Sequence, residues 1–184
     1  MKIPYTGSTA DPEVAIVLKV GEKYKIDEAM VIHTSKIEVR DWVTLKCKYG
    51  CEKYGQSHSC PPNSISTDTM RKVLKEYKRA ILIASQTKNL EDQGRMRDAL
   101  IEMEKALFLK NYYKAFALVP GCCDKCDDCS AKDGLACTHS KDKRPCIEGT
   151  GIDVFNLVSK YKKSIHPISD KNKSFESYGI ILLD

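Results

Sequence analysis

Long hydrophobic runs are missing from this sequence. Its longest apolar stretches cover residues 80–85 and 180–183, whereas a membrane-spanning helix needs about 18 consecutive apolar residues. The first ten residues also lack the apolar segment and the small-residue cleavage pattern of a secretory signal. We therefore expect a soluble, cytoplasmic protein that has no membrane partner.

Several sequence patterns of catalysis and binding are missing as well. There is no glycine-rich phosphate loop, no nucleotide fingerprint and no recognisable Ser/His/Asp order. Arginine-rich runs and basic stripes interleaved with aromatic residues are absent, which argues against a nucleic-acid partner. The net charge of +5 counts every cysteine as neutral, and two four-thiolate sites around a 2+ core would lower it to about +1.

The chain organisation indicates one domain. A chain of 184 residues lies close to the usual size of one domain, about 150 residues. Such a chain buries enough surface to fold without disulfides or a metal. No internal repeat, low-complexity segment or composition break marks a linker. We therefore expect a single domain over residues 1–184.

The spacing of apolar residues predicts an α/β fold for this domain. We expect a strand at residues 14–20, a short helix at 27–37 and either type of element at 37–46. Further helices are expected from Ser66 or Thr67 through Tyr77, at 90–112 and from Thr150 through Tyr161, with strands at 80–85, 114–119 and 178–183. Residues 80–119 should form a β-α-β unit whose strands pair in parallel within a small mixed sheet.

Cysteine, by contrast, is abundant. The nine cysteines fall into a first group, Cys47, Cys51 and Cys60, and a second group, Cys122, Cys123, Cys126, Cys129, Cys137 and Cys146. In a reducing compartment, an odd number of clustered thiols indicates metal ligands or redox groups rather than disulfides. The sequence therefore predicts two cysteine-rich metal-binding loops.

The second group contains a tightly spaced motif. Cys123, Cys126 and Cys129 follow the pattern Cys-x-x-Cys-x-x-Cys, which lets one short loop wrap a corner of a cubane cluster. Zinc usually takes Cys-x-x-Cys pairs from two separate places, so the third cysteine favours [4Fe–4S] over zinc. We expect Cys137 as the fourth ligand because the intervening loop contains a glycine and can fold back.

Two cysteines of the second group stand outside this motif. Cys146 is the rival of Cys137 as the fourth ligand. Cys122 is one residue too many for the spacing, and as a small buried hydrophobe it needs no ligand role.

The first group also predicts a metal-binding loop. Cys47, Cys51 and Cys60 lie within 14 residues that contain two glycines, and a proline follows the last thiol. Together with His58 they would satisfy a tetrahedral zinc ion. Without it, the fourth ligand comes from the second group, or one iron of a cubane stays open and can bind a substrate atom as a Lewis acid.

Several motifs occur together in a pattern that can be compared with a known family. They are Cys47-x3-Cys51, Tyr54-Gly55, Cys60-Pro-Pro62, the Cys123/Cys126/Cys129 loop, Cys137-Thr-His139, Arg144-Pro145 and the stretch from Glu148 to Val154. From about Trp42 to the last strand, the chain resembles the uncharacterised domain family of predicted metal-binding proteins, common in anaerobic bacteria and archaea. The resemblance implies metal binding and iron–sulfur content, without an assigned reaction. The cysteines at 122 and 146 depart from the family's pattern.

Polar residues near the cysteines have ordinary structural explanations. Glu148 and Asp153 would favour the dipole at the start of the last helix. Arg144 could donate hydrogen bonds to cluster sulfide, although a surface salt bridge is the simpler expectation. His139 is a candidate ligand only for zinc, and His33 and His166 are isolated in the sequence.

The sequence thus predicts an iron–sulfur protein that binds one or two [4Fe–4S] clusters and exchanges electrons with a redox partner protein in anaerobic metabolism. The expected ligands are Cys47, Cys51, Cys60, Cys123, Cys126, Cys129 and Cys137, with Cys122 and Cys146 as further candidates. One alternative is an enzyme that uses an open-iron cluster for sulfur or small-molecule chemistry. The other is a non-redox zinc module for which His58 and His139 are essential.

Overall fold

The computed structural model describes residues 11–26, 28–163, 165 and 174–184. His166 lies outside these residues. Five helices and four strands occur within them. Among these helices there is none whose length and apolar content would let it cross a membrane.

Helices and strands are interspersed along the chain. The helices are α1 (Pro12–Tyr24), α2 (Asp41–Gly50), α3 (Thr67–Leu74), α4 (Leu90–Phe108) and α5 (Val154–Lys160). The strands are β1 (Glu28–His33), β2 (Arg79–Thr87), β3 (Phe116–Leu118) and β4 (Phe175–Leu182). Short 3-10 helices occur at Thr34–Lys36, Ser130–Asp133 and Glu148–Thr150. This composition confirms the predicted α/β class.

The four strands form one antiparallel sheet in the order β1-β2-β4-β3. The expected parallel pairing of β2 with β3 is therefore wrong, because β4 lies between them, although the two strands still run in the same direction. Strand β4 pairs with β2 from Thr87↔Phe175 to Ala80↔Leu182. This ladder pairs nearly all residues of β2. Strand β3 has only three residues and could not pair with so much of β2. The last strand of the chain therefore lies between β2 and β3.

Hydrophobic residues are buried on both faces of the sheet. Ile81 and Ile83 contribute to one apolar cluster together with α1 and α4, whereas Leu82 contributes to the other together with α3 and α5. This alternation follows from the two-residue period of a strand. At Gly179 of β4 an added Cβ would lie 2.4 Å from Cδ1 of Leu100, so this glycine allows α4 to pack directly on the sheet.

Two elements near the amino terminus differ from expectation. Residues 14–20 are part of helix α1 rather than a strand, and Val14, Val17 and Gly21 are buried along one helical face. Residues 28–33 form strand β1 rather than a helix, because they pair with β2 from Glu28↔Ala84 to His33↔Arg79. In both cases the β-branched residues gave no decisive local signal, and packing against distant residues determined the structure.

Most other elements agree with the predictions. The predictions are close for two helices and three strands, namely α3, α4, β2, β3 and β4. The hydroxyl of Ser66 caps α3 by accepting a hydrogen bond from the Thr69 N–H at 3.2 Å. Residues 37–46, for which either type of element was expected, contain the start of α2. Asp153, rather than Thr150, caps α5 by accepting from the Asn156 N–H at 2.9 Å.

Candidate metal centres

Three distant segments meet where the chain leaves edge strand β3. The N–H of Val119 donates to the carbonyl of Pro145 at 3.0 Å, and the N–H of Ile147 donates back to Val119 at 2.9 Å. The N–H of Cys146 donates to the carbonyl of Ser59 at 2.8 Å. Residues around 59, 119 and 146 therefore lie side by side, and this convergence brings the two cysteine groups of the sequence together.

Cys60 of the first group lies against two cysteines of the second. Its Sγ is 2.9 Å from Sγ of Cys122, and the nearby thiol of Cys146 raises its pKa. Cys60 and Cys146 are buried, and Cys122 is partly buried. The two cysteines that the Cys-x-x-Cys-x-x-Cys spacing leaves out are therefore neighbours of the first loop.

Helix α2 adds two further cysteines to this assembly. Cys47 lies in the last turn of α2, and Cys51 is the exposed C-cap residue. Burial, together with the nearby Cys146 and Cys51, raises the pKa of Cys47 to about 11. We call Cys47, Cys51, Cys60, Cys122 and Cys146 the five-thiol group.

Backbone contacts hold α2 in this position. The N–H of Arg40, just before the helix, donates to the carbonyl of Gly151 at 2.8 Å, and Val39 forms a bridge with Ile152. Gly151 has a φ of +85°, and an added Cβ would lie 2.5 Å from Cγ2 of Thr67. A glycine is thus required both by the backbone conformation and by the close approach of α3.

Burial and mutual contact shift the pKa values of the thiols in the five-thiol group. A hydrogen bond from Cys60 lowers the pKa of Cys122 to about 7 and raises the pKa of Cys60. The closeness of Lys53 and Arg97 also lowers the pKa of Cys122. Ionisable sulfurs in contact and partly out of water repel one another once deprotonated, and a bound metal relieves that repulsion. The donor set therefore fits a metal.

Glu148 belongs to this site rather than to the last helix. Sγ of Cys146 donates to Oε2 of Glu148 at 3.1 Å. Burial raises the pKa of the Glu148 carboxyl. The expectation that Glu148 serves the dipole of α5 is therefore wrong, and Asp153 alone caps that helix.

The other four cysteines surround a separate cavity. Cys123, Cys126, Cys129 and Cys137 line it, together with Ser57, His58, Ser59, Lys125, His139 and Lys143. We call this site the four-thiol cavity. Cys137 lies at this cavity, whereas Cys146 is in the five-thiol group. Burial raises the pKa of Cys123.

The histidines considered as zinc ligands both lie at the four-thiol cavity. His139 lines it, as does His58, whose Nε2 is 3.3 Å from Oγ of Ser130. His58 therefore faces the cysteines of the second group, although the sequence placed it in a set with Cys47, Cys51 and Cys60. His33 is exposed at the end of β1.

Two arginines fix the ends of the cysteine-rich loop to the fold. Arg97 of α4 is buried, donates to the carbonyl of Pro120 at 3.2 Å and forms an ion pair with Asp124 at 2.5 Å. Arg144 donates two hydrogen bonds of 2.7 Å to Glu104 of α4. A salt bridge was predicted for Arg144, but at the surface, whereas this pair is largely buried. No local signal in the sequence identified Arg97 or Glu104, because their partners lie far along the chain.

A second cavity lies on the other side of Glu148. It has a volume of about 260 Å³. Its walls are formed by Gln93, Pro120, Glu148, Val154, Phe155, Ile165, Phe175, Glu176, Ser177 and Tyr178. Glu148 therefore lies between the five-thiol group and a space that could admit a small molecule.

Within the described part of the chain, no group of three or more His, Cys, Asp or Glu side chains has the geometry of a bound metal ion. The two sites are therefore defined by which thiols are neighbours and by the chemistry of those thiols.

Comparisons with known proteins give one match. A family model with the description "Predicted metal-binding protein" matches residues 30–183. The matched region runs from β1 to the end of β4 and contains all nine cysteines. No curated protein and no solved structure matches the chain.

Proposed function

The chain belongs to the family described as predicted metal-binding protein, and from this premise we propose that it is an iron–sulfur protein that transfers electrons. The observation that carries the proposal is the four-thiol cavity, which is lined by Cys123, Cys126, Cys129 and Cys137. These four residues would hold a [4Fe–4S] cluster. Such a cluster supplies reversible one-electron chemistry.

The local sequence favours iron over zinc, and the surroundings of the cavity favour a bound group with a net negative charge. Three thiols come from one loop with two-residue gaps, which suits a cluster corner. Lys143 and Lys125 also line the cavity, and their charges oppose the negative charge of four thiolates. Nearby positive charge stabilises the reduced state of a cluster and so raises its potential.

We expect anaerobically purified protein to be brown and to contain iron and sulfide in equal amounts. Cys126→Ser should lose about four iron atoms per chain, because it removes one ligand of the cavity cluster. Iron, sulfide and zinc analyses with visible spectra of both proteins measure this. A colourless wild-type protein that contains zinc without iron or sulfide contradicts the proposal.

His58→Ala and His139→Ala are matched controls, because both side chains line the same cavity. If the cluster is held by thiolates alone, both variants keep the iron content of the wild type. The alternative function, a non-redox zinc module, requires that these substitutions remove zinc. The zinc module is tested because His58 and His139 both lie at the cavity.

A second candidate function is an enzyme that uses an open iron in the five-thiol group. The cavity beside Glu148 favours it, since a substrate there would lie next to Cys146. In that case, cyanide or a small thiol should shift the visible spectrum of the wild-type protein. The shift should persist in Cys126→Ser, whose remaining iron belongs to the five-thiol group. A spectrum insensitive to both ligands contradicts this function.

A further inference from the structure

We propose that Cys47, Cys60, Cys122 and Cys146 hold a second iron–sulfur cluster, separate from the cluster of the four-thiol cavity. This inference rests on the proposed function, because it assumes that the protein carries iron and sulfide. It assigns ligands to the two cysteines that the motif spacing leaves unexplained. It also divides the nine cysteines into two sets that do not follow the two groups of the sequence.

The contacts of Cys60 carry the inference. Its sulfur lies 2.9 Å from that of Cys122, and the thiol of Cys146 lies close by. These residues come from three segments that the backbone holds together, through Cys146 N–H to Ser59 and Val119 N–H to Pro145. The thiols are therefore brought together by the fold itself.

The fourth ligand comes from helix α2. Cys47 is partly buried, whereas Cys51 is exposed at the end of the helix. A cluster excluded from water therefore takes Cys47, and Cys51 stays at its outer edge. Glu148 accepts a hydrogen bond from the sulfur of Cys146 at 3.1 Å, so its carboxylate lies on the inner side of the site.

The two sites share one peptide bond. Cys122 contacts Cys60, while the next residue, Cys123, lines the four-thiol cavity. Consecutive Cα atoms are about 3.8 Å apart, so the two clusters must be close neighbours. The turn before them depends on Gly121, whose φ of +63° is a conformation that other residues rarely adopt.

The adjacent pair Cys122 and Cys123 gives the sharpest test. Cys122→Ser and Cys123→Ser differ by one position and remove the same chemical group, yet each should remove a different cluster. We expect each variant to keep about four of about eight iron atoms. The electron paramagnetic resonance spectrum of reduced Cys122→Ser should match that of Cys146→Ser, and the spectrum of Cys123→Ser should match that of Cys126→Ser.

The wild-type protein provides a further signature. Two reduced clusters this close interact magnetically, so its spectrum should not be the sum of the two variants' spectra. Cys47→Ser, on the partly exposed side of α2, removes the same cluster without altering the buried segments. If Cys122→Ser or Cys146→Ser fails to fold, Cys47→Ser still tests whether the second cluster exists.

The outcomes separate this inference from the proposed function. Wild-type protein without iron overturns both. If Cys122→Ser and Cys123→Ser lose the same amount of iron and leave identical spectra, that result overturns the second cluster and leaves the proposed function standing. The same holds for a wild-type content of about four iron atoms that Cys47→Ser and Cys122→Ser leave unchanged. Half the iron in each variant, with two distinct residual spectra, supports the division.

Discussion

Removal of the proposed cluster under anaerobic conditions should expose the backbone amides of residues 123–143 to hydrogen exchange, while strands β2 and β4 keep their protection. We expect exchange in the loop to accelerate by at least about two orders of magnitude. The reason is that metal binding, about 10 kcal/mol or more at structural zinc sites, becomes folding free energy for the residues that it orders.

The loop has little structure of its own to retain its fold. Between β3 and the 3-10 helix at Glu148–Thr150, the structure has only the four-residue 3-10 helix Ser130–Asp133 and scattered turns. Loops of this length without regular structure are uncommon in compact domains and are usually functional. Protein contacts hold its ends, at the Arg97–Asp124 and Arg144–Glu104 pairs, whereas the four-thiol cavity lies between them.

The sheet should respond differently because its core does not include the cysteine-rich loop. Ile81 and Ile83 lie in one apolar cluster and Leu82 and Ile180 in the other. Hydrogen exchange with mass spectrometry can compare peptides from 123–143 with peptides from β2 and β4 in the same sample. Restored protection after iron and sulfide are returned completes the comparison. A loop that stays protected without metal, or a sheet that opens together with it, contradicts the expectation.

Glu104→Ala should lower the free energy of unfolding by about 3 kcal/mol, the range observed when one partner of a buried ion pair is removed. Glu104 accepts two hydrogen bonds from Arg144 and one from the N–H of Ala117, each 2.7 Å long. The two charged side chains are only 14% and 16% exposed. Alanine at position 104 would leave the guanidinium of Arg144 poorly solvated without its carboxylate partner. It would also leave the N–H of Ala117 in edge strand β3 without an acceptor.

Denaturant unfolding of the iron-loaded protein under anaerobic conditions measures this effect. Glu104→Gln keeps the size and one acceptor of the side chain and should lose less than Glu104→Ala. Glu91→Ala changes an exposed glutamate at the start of the same helix and should stay within about 0.5 kcal/mol of the wild type. Equal losses in Glu91→Ala and Glu104→Ala would attribute the effect to helix α4 in general rather than to the ion pair.

Regular elements with strong periodicity were predictable from the sequence. Helix α4 has a helical repeat of apolar residues, and β2 is a short apolar run whose length and Ile-Leu-Ile content favour a strand. Residues 14–20 and 28–33 carry valine and isoleucine in both a helix and a strand, so local preference could not separate the two. Their structures depend on α4 and β2, which lie more than 40 residues away along the chain.

The sequence by itself determined that this is an α/β protein of the predicted metal-binding family, and that Cys123, Cys126 and Cys129 share one loop. Short spacing places these thiols together whatever the rest of the chain does. Only the tertiary structure decided the positions of Cys122, Cys146 and Glu148. They meet Cys60 because three distant backbone segments hydrogen-bond at the end of β3, and no local pattern encodes such long-range pairing.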